Sequence, residues 1–268
     1  MLKLYKGVFA AYMITVIAGL IALCVVFRGT NPASSVLLIF LVFVWIFVCA
    51  AVFTAIANTK FGKIRVLFRH CRINESLAKY SALYAKCKDY SYNAILIAYY
   101  ICSCCLARGK PDEAQKYLDK YDLTFLPASK SALRSLWNSA KTELCLQRGD
   151  LDGAEKALAE QEKALLLGTF GSSLRLAYMR ELDMGKHYLA LARGEDGATE
   201  YFEHELTVPI KDKSQESPLR DVKIKYSLAV AYEKLGETEK AREYYDFAAK
   251  NGGDTYFAAA AKEKLKES

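Results

Sequence analysis

The chain has 268 residues, with 37 Lys and Arg against 30 Asp and Glu, and a formal net charge of +7. The excess positive charge lies at the start, because residues 1–74 carry eight cations and no acid, whereas the rest of the chain carries 29 cations and 30 anions. This nearly neutral remainder argues against nucleic-acid binding through a basic surface, and we expect no nucleic-acid partner.

Two uncharged apolar runs, at 7–27 and 36–57, dominate the acid-free segment. At about 1.5 Å rise per residue, each run reaches roughly 30 Å as a helix, which is the thickness of a bilayer's hydrocarbon core. The short connection contains the turn formers Gly29 and Pro32. The sequence therefore predicts that residues 1–58 form a transmembrane helical hairpin. A cleaved signal peptide is the alternative for the first run, which is longer than the usual apolar core of such a peptide.

Cations lie outside both runs, and the connection between them holds only Arg28. The positive-inside rule then places both termini in the cytoplasm of an integral membrane protein, and a bacterial inner membrane suits the short hairpin. The segment 59–89 is predicted to be a basic juxtamembrane and connecting helix. Its first cations are expected to face the lipid bilayer, or else to act only as a topology signal: Lys60, Lys63, Arg65, Arg69 and Arg72.

Small residues recur in the first run at helical spacing, among them Ala11, Thr15 and Gly19. Such spacing lets helices approach closely, so self-association through the spans is one expectation. Neither run contains Asp, Glu, Lys, Arg or His. Transport is therefore disfavoured, because an ion or proton pathway would have no ionisable side chain to use.

From residue 90 to residue 268 the apolar pattern has the period of helices, and no run alternates over strand length. We expect an all-α fold here. Four segments share one pattern: a helix ends at an Arg-Gly or Leu-Gly pair, an acidic or Pro-containing turn follows, and an alanine stands near the start of the next helix. Their glycines are Gly109, Gly149, Gly194 and Gly236.

The last of these units resembles the tetratricopeptide repeat family. The packing positions of that repeat are occupied in order and spacing by Leu228, Ala229, Tyr232, Gly236, Ala241, Tyr245 and Ala248. The four glycines are separated by 40, 45 and 42 residues, whereas a regular repeat has about 34. The resemblance implies an α-solenoid of about four helix hairpins, ending in a cap helix near residues 254–266.

The resemblance also implies a concave groove lined by the first helix of each hairpin, where a partner peptide would bind. Carrying over the family's groove positions gives nine candidates: Leu96, Tyr99, Ser103, Ser139, Glu143, Met184, Tyr188, Tyr226 and Val230. The alternative is that some of these tyrosines only cover the core. The cationic pattern of repeats that clamp a chaperone's C-terminal carboxylate is absent apart from Lys223, so that function is disfavoured.

No motif indicates catalysis. The eight cysteines and three histidines show no metal-ligand spacing, and Cys102 and Cys105 fall on packing positions of the first unit. There is no phosphate-binding glycine loop and no nucleophile elbow. We therefore expect no enzyme activity, no cofactor and no metal.

Together these features predict a membrane-tethered module for protein–protein interaction that presents its groove to a protein or peptide partner in the cytoplasm. Tethering would raise the effective concentration of the binding surface. The alternative is an accessory or assembly subunit of a membrane complex, in which the spans make the main contacts.

Overall fold

The computed structural model describes residues 6–26, 32–123, 126–127, 130–168, 171–208 and 217–267. These residues form twelve α-helices and contain no strand. The chain divides into two compact units, the first of residues 1–65 with 85–87 and the second of residues 66–84 with 88–268.

The first unit is built from α1 (Lys6–Val26) and most of α2 (Pro32–Arg69). The two helices approach closely at Gly19, where an added Cβ atom would overlap the indole of Trp45. Large apolar side chains of both helices are exposed, for example Ile14, Ile21 and Phe47.

The predicted transmembrane hairpin is wrong. Among the residues that the structure describes, no helix has both the length and the apolar character needed to cross a membrane. Crossing takes about 20 consecutive apolar residues. Residue 27 of the first predicted span, 7–27, lies outside the residues described, as do several side chains of the second, 36–57. Three predictions that depended on the transmembrane hairpin are therefore not supported either: integral membrane localisation, a bacterial inner membrane and cytoplasmic termini.

The lipid-facing role of the basic segment rested on those spans and is withdrawn. Lys63 and Arg65 are exposed near the end of α2, Arg69 is half-buried, and Arg72 forms an ion pair with Glu75. The side chain of Lys60 lies outside the described residues. Self-association or complex assembly through the spans is withdrawn for the same reason.

The second unit stacks helices in the order of the chain. It contains α3 (Ile73–Tyr84), α4 (Tyr92–Ala107), α5 (Pro111–Lys120), α6 (Ser131–Arg148), α7 (Leu151–Leu167), α8 (Ser172–Arg193), α9 (Ala198–Thr207), α10 (Pro218–Lys234), α11 (Thr238–Asn251) and α12 (Tyr256–Glu267). Each of α4, α6, α8 and α10 packs against the helix that follows it, and α4, α6, α8 and α10 also contact one another in sequence. These four are the first helices of four hairpins.

The turn after α6 shows how the shared sequence pattern ends one helix and starts the next. Gly149 has φ +72°, a left-handed conformation that suits glycine, and the Asp150 amide donates to the Cys145 carbonyl. The Asp150 carboxylate then accepts the Gly153 amide at 2.9 Å and caps α7. Ala154, one position further, is completely buried, so the alanine of the pattern lies where the two helices cross.

The two ends of the second unit meet at Asp254, in the turn before α12. Its carboxylate accepts the amides of Ile73 at 2.5 Å and Asn74 at 2.8 Å, the first two of α3. The Asp254 amide donates to the Cys71 carbonyl at 3.2 Å. First-turn amides have no partner within their own helix, so an aspartate 181 residues away in the chain caps α3.

Replacing Asp254 with Ala should destabilise the protein by about 1–3 kcal/mol, because two helix amides lose their acceptor and the one at Ile73 is partly buried. Urea unfolding of the full chain measures this change. The matched control is Asp246→Ala, which removes an exposed pair with Lys250 and should cost less than about 0.5 kcal/mol. Equal effects of the two substitutions would show that the ends are not joined in this way.

Substituting Gly109 with Ala should destabilise the fold more than substituting Gly149 with Ala. Both glycines have left-handed φ values, +66° and +72°, so alanine is strained by about 1–2 kcal/mol at either position. Only at Gly109 does the new Cβ meet another group, the Tyr256 ring at 2.9 Å, whereas Gly149 faces open space. The difference in unfolding free energy between the two variants reports the contact between the end of α4 and the start of α12.

Candidate functional site

A cavity of about 310 Å³ lies between the first helices of the four hairpins. We call it the central cavity. Six of the nine predicted groove residues line it: Tyr99, Ser103, Ser139, Glu143, Met184 and Tyr188. They come in pairs four residues apart on α4, α6 and α8, so each pair lies on one face of its helix.

A second cavity of about 390 Å³, the side cavity, adjoins the first. The two share Glu143 and Tyr188, and the side cavity adds the predicted residues Tyr226 and Val230. Leu96 is half-buried on α4 and lines neither of them. The structure thus gathers eight of the nine candidates around two adjoining cavities, and their binding of a peptide stays a prediction.

Close contact between helices shapes the wall opposite α4. Gly185 stands in the middle of α8, and a Cβ atom there would lie 2.8 Å from the Leu158 side chain of α7. Because glycine lets the two helices approach, Met184 and Tyr188 on either side of it reach the central cavity. Phe68 and Phe257 also line this cavity.

Two basic side chains of α10 line the central cavity, and each has an acidic partner. Lys223 pairs with Glu143 at 3.0 Å, and its ammonium lies 4.8 Å from the centre of the Tyr188 ring. Arg220 donates to the Glu205 carboxylate at 3.0 Å and to the Glu205 carbonyl at 2.6 Å.

Glu181, on α8, also lines the central cavity, and with Glu143, Arg220 and Lys223 it makes up the charged lining among the residues described. It forms no ion pair with any described residue, although it lies close to Ser139. Burial raises the pKa of this carboxyl, and the nearby Glu143 raises it further, against the opposing effects of Ser139 and Lys223. Ionised Glu181 is therefore poorly compensated.

Three buried polar atoms of central-cavity residues lack a hydrogen-bond partner in the described part of the chain. They are Nε2 of Gln161, the hydroxyl of Tyr188 and Nε of Arg220. Only 1% of the surface of Gln161 is exposed. Most buried polar groups of folded proteins are paired, so three such atoms around one cavity form an unusual concentration of unused hydrogen-bonding capacity.

Sequence reasoning missed Glu181, Gln161 and Arg220, although two of them left a signal. Glu181 lies three and seven residues before Met184 and Tyr188, and therefore on the same face of α8. Gln161 interrupts the apolar stripe of α7 between Leu158 and Leu165. Arg220 stands in the first turn of α10, where nothing in the sequence shows that its side chain reaches a cavity.

The cysteines near this site behave as core side chains. Cys102, Cys104 and Cys105 are buried on α4 as free thiols. Burial raises the pKa of Cys104 to about 12 and that of Cys105 to about 11, which suppresses the reactive thiolate. No cluster of three potential metal ligands occurs in the residues described.

No protein-family model matches the chain, and neither does any curated protein or solved structure. The described residues form helix hairpins, but the comparisons do not identify the tetratricopeptide family. That resemblance therefore stays a prediction.

Substituting Glu181 with Gln should raise stability at neutral pH relative to the unmodified protein, and the gain should disappear in acid. The pKa of Glu181 is higher in the folded state than in the unfolded state, where it is near 4.5. The protonated carboxyl group is therefore the form that favours folding. Its contribution is complete below the unfolded pKa and is lost as pH rises through the folded pKa. Glutamine stays neutral at every pH. Urea unfolding between pH 4 and pH 8 measures the difference.

The matched control is Glu162→Gln, because Glu162 is exposed on α7 and pairs with Lys186 at 3.0 Å. This substitution should change stability by less than about 0.5 kcal/mol across the same pH range. A Glu181→Gln protein that is less stable than the unmodified protein at pH 8 would show that the cavity already compensates the charge.

Proposed function

We propose that this chain is a protein-interaction module that binds a segment of a partner protein on the face formed by α4, α6, α8 and α10. The observation that carries the proposal is the position of eight predicted groove residues around two adjoining cavities that share Glu143 and Tyr188. Stacked helix hairpins commonly use this face for peptides.

The cavities are the size of side-chain pockets. Volumes of about 310 and 390 Å³ lie at the lower end of the range for small-molecule sites, and each would accept one large side chain. Interfaces obtain most of their affinity from a few such buried anchors. We therefore expect one partner segment to place a side chain in each cavity.

Binding is favoured over catalysis by the chemistry of these residues. Lys223 and Arg220 are each held by a carboxylate of the same chain. The thiols on α4 are buried, and burial raises their pKa values. Tyrosine, serine and methionine side chains on the cavity walls supply contact area and adaptable hydrogen bonds. We propose no cofactor and no metal for this function.

A random-peptide display library, selected on the full chain, tests the proposal. Enriched peptides should lose at least tenfold in affinity when Val230 is replaced by Trp, because the larger side chain fills the side cavity. The loss of one buried anchor typically corresponds to about 2 kcal/mol or more.

The control is Leu176→Trp, which places the same side chain at an exposed position of α8 outside both cavities. Thermal unfolding confirms that both variants fold. Failure to enrich any peptide, or binding that survives Val230→Trp unchanged, would overturn the proposed function.

A further inference from the structure

Two cations and two carboxyl groups line the described wall of the central cavity, and one of the carboxyl groups is in no ion pair. Lys223 is engaged by Glu143, and Arg220 by Glu205, which lies outside the cavity and also pairs with Arg180. Glu181 has no such partner among the described residues, and it lies in a partly desolvated position. An occupant that brings a positive charge would complete the pairing of charges in this cavity.

The walls of the cavity suit a cation as well. Tyr99, Tyr188, Phe68 and Phe257 line it, and aromatic faces attract ammonium and guanidinium groups. The chain already uses one of these rings in this way, since the Lys223 ammonium lies 4.8 Å from the centre of the Tyr188 ring. Tyr99 and Glu181 both lie close to Ser139, so this ring and the unpaired carboxyl group are near each other in the cavity wall.

The charges of the wall also favour a cationic occupant over the other kinds. An anionic occupant would meet the carboxylates of Glu143 and Glu181. An apolar occupant would leave the Glu181 carboxylate buried without a counter-charge.

From this arrangement we infer that the central cavity receives a lysine or arginine side chain of the partner segment, whose ammonium or guanidinium group forms an ion pair with the Glu181 carboxylate. The inference rests on the proposed function and names the chemistry of its partner. Basic residues within the segment, rather than its C-terminal carboxylate, would then select the partner.

A double-mutant cycle on a library-selected peptide tests this pairing. Two peptides are titrated against the full chain and against Glu181→Gln. One is the selected peptide, and the other carries norleucine in place of its basic residue. Each single change should weaken binding at least tenfold, and the two together no more than either alone. Glu162→Gln, which removes an exposed carboxylate outside the cavity, should leave both affinities unchanged.

The remaining outcomes separate the two proposals. Selected peptides that lack a basic residue, or that bind Glu181→Gln undiminished, would overturn the ion pair while leaving the proposed function in place. Spermidine is the probe for a free amine. The contrary result is that spermidine acts at lower concentrations than the peptide, displacing it and raising the melting temperature of the unmodified protein but not that of Glu181→Gln. In that case the occupant is a small polyamine and the peptide assignment is wrong.

Discussion

The second unit depends on the carboxylate of Asp254, which accepts the first two amides of α3 from 181 residues further along the chain. A row of helix hairpins has no inherent reason to bring its ends together. Here the join places Phe68, just before α3, and Phe257, just after Asp254, on the wall of the same cavity. The two ends of the unit thereby contribute to the wall of one half-open cavity.

The central cavity changes the electrostatics of the side chains inside it. Charges within it are partly desolvated, so Lys223 and Arg220 are held by carboxylates, and the carboxyl group left over, on Glu181, has a raised pKa. The same confinement separates the donor of Gln161 from solvent. We interpret the unpaired carboxyl group as the free state of a binding site, in which a partner supplies the positive charge that the fold itself does not.

Local features of this fold were predictable, whereas long-range ones were not. The four turn glycines adopt left-handed conformations, and the alanines Ala114, Ala154, Ala198 and Ala241 are buried as the repeated pattern requires, because both follow from residues close in sequence. The cap at Asp254 and the convergence of Gln161, Glu181 and Arg220 arise from tertiary packing, which spacing along one helix does not encode. The transmembrane hairpin was predicted from two long uncharged apolar runs joined by a short turn, and the described helices do not support it.

Residue-resolved hydrogen exchange at the start of α3 tests the junction at Asp254 most directly. The amides of Ile73 and Asn74 are the first two of their helix, and without an external acceptor such amides exchange nearly as fast as those of an unfolded chain. Both amides should be protected, and Asp254→Ala should abolish their protection while the interior amides of α6 stay slow. Fast exchange at both positions in the unmodified protein would contradict the cap at Asp254.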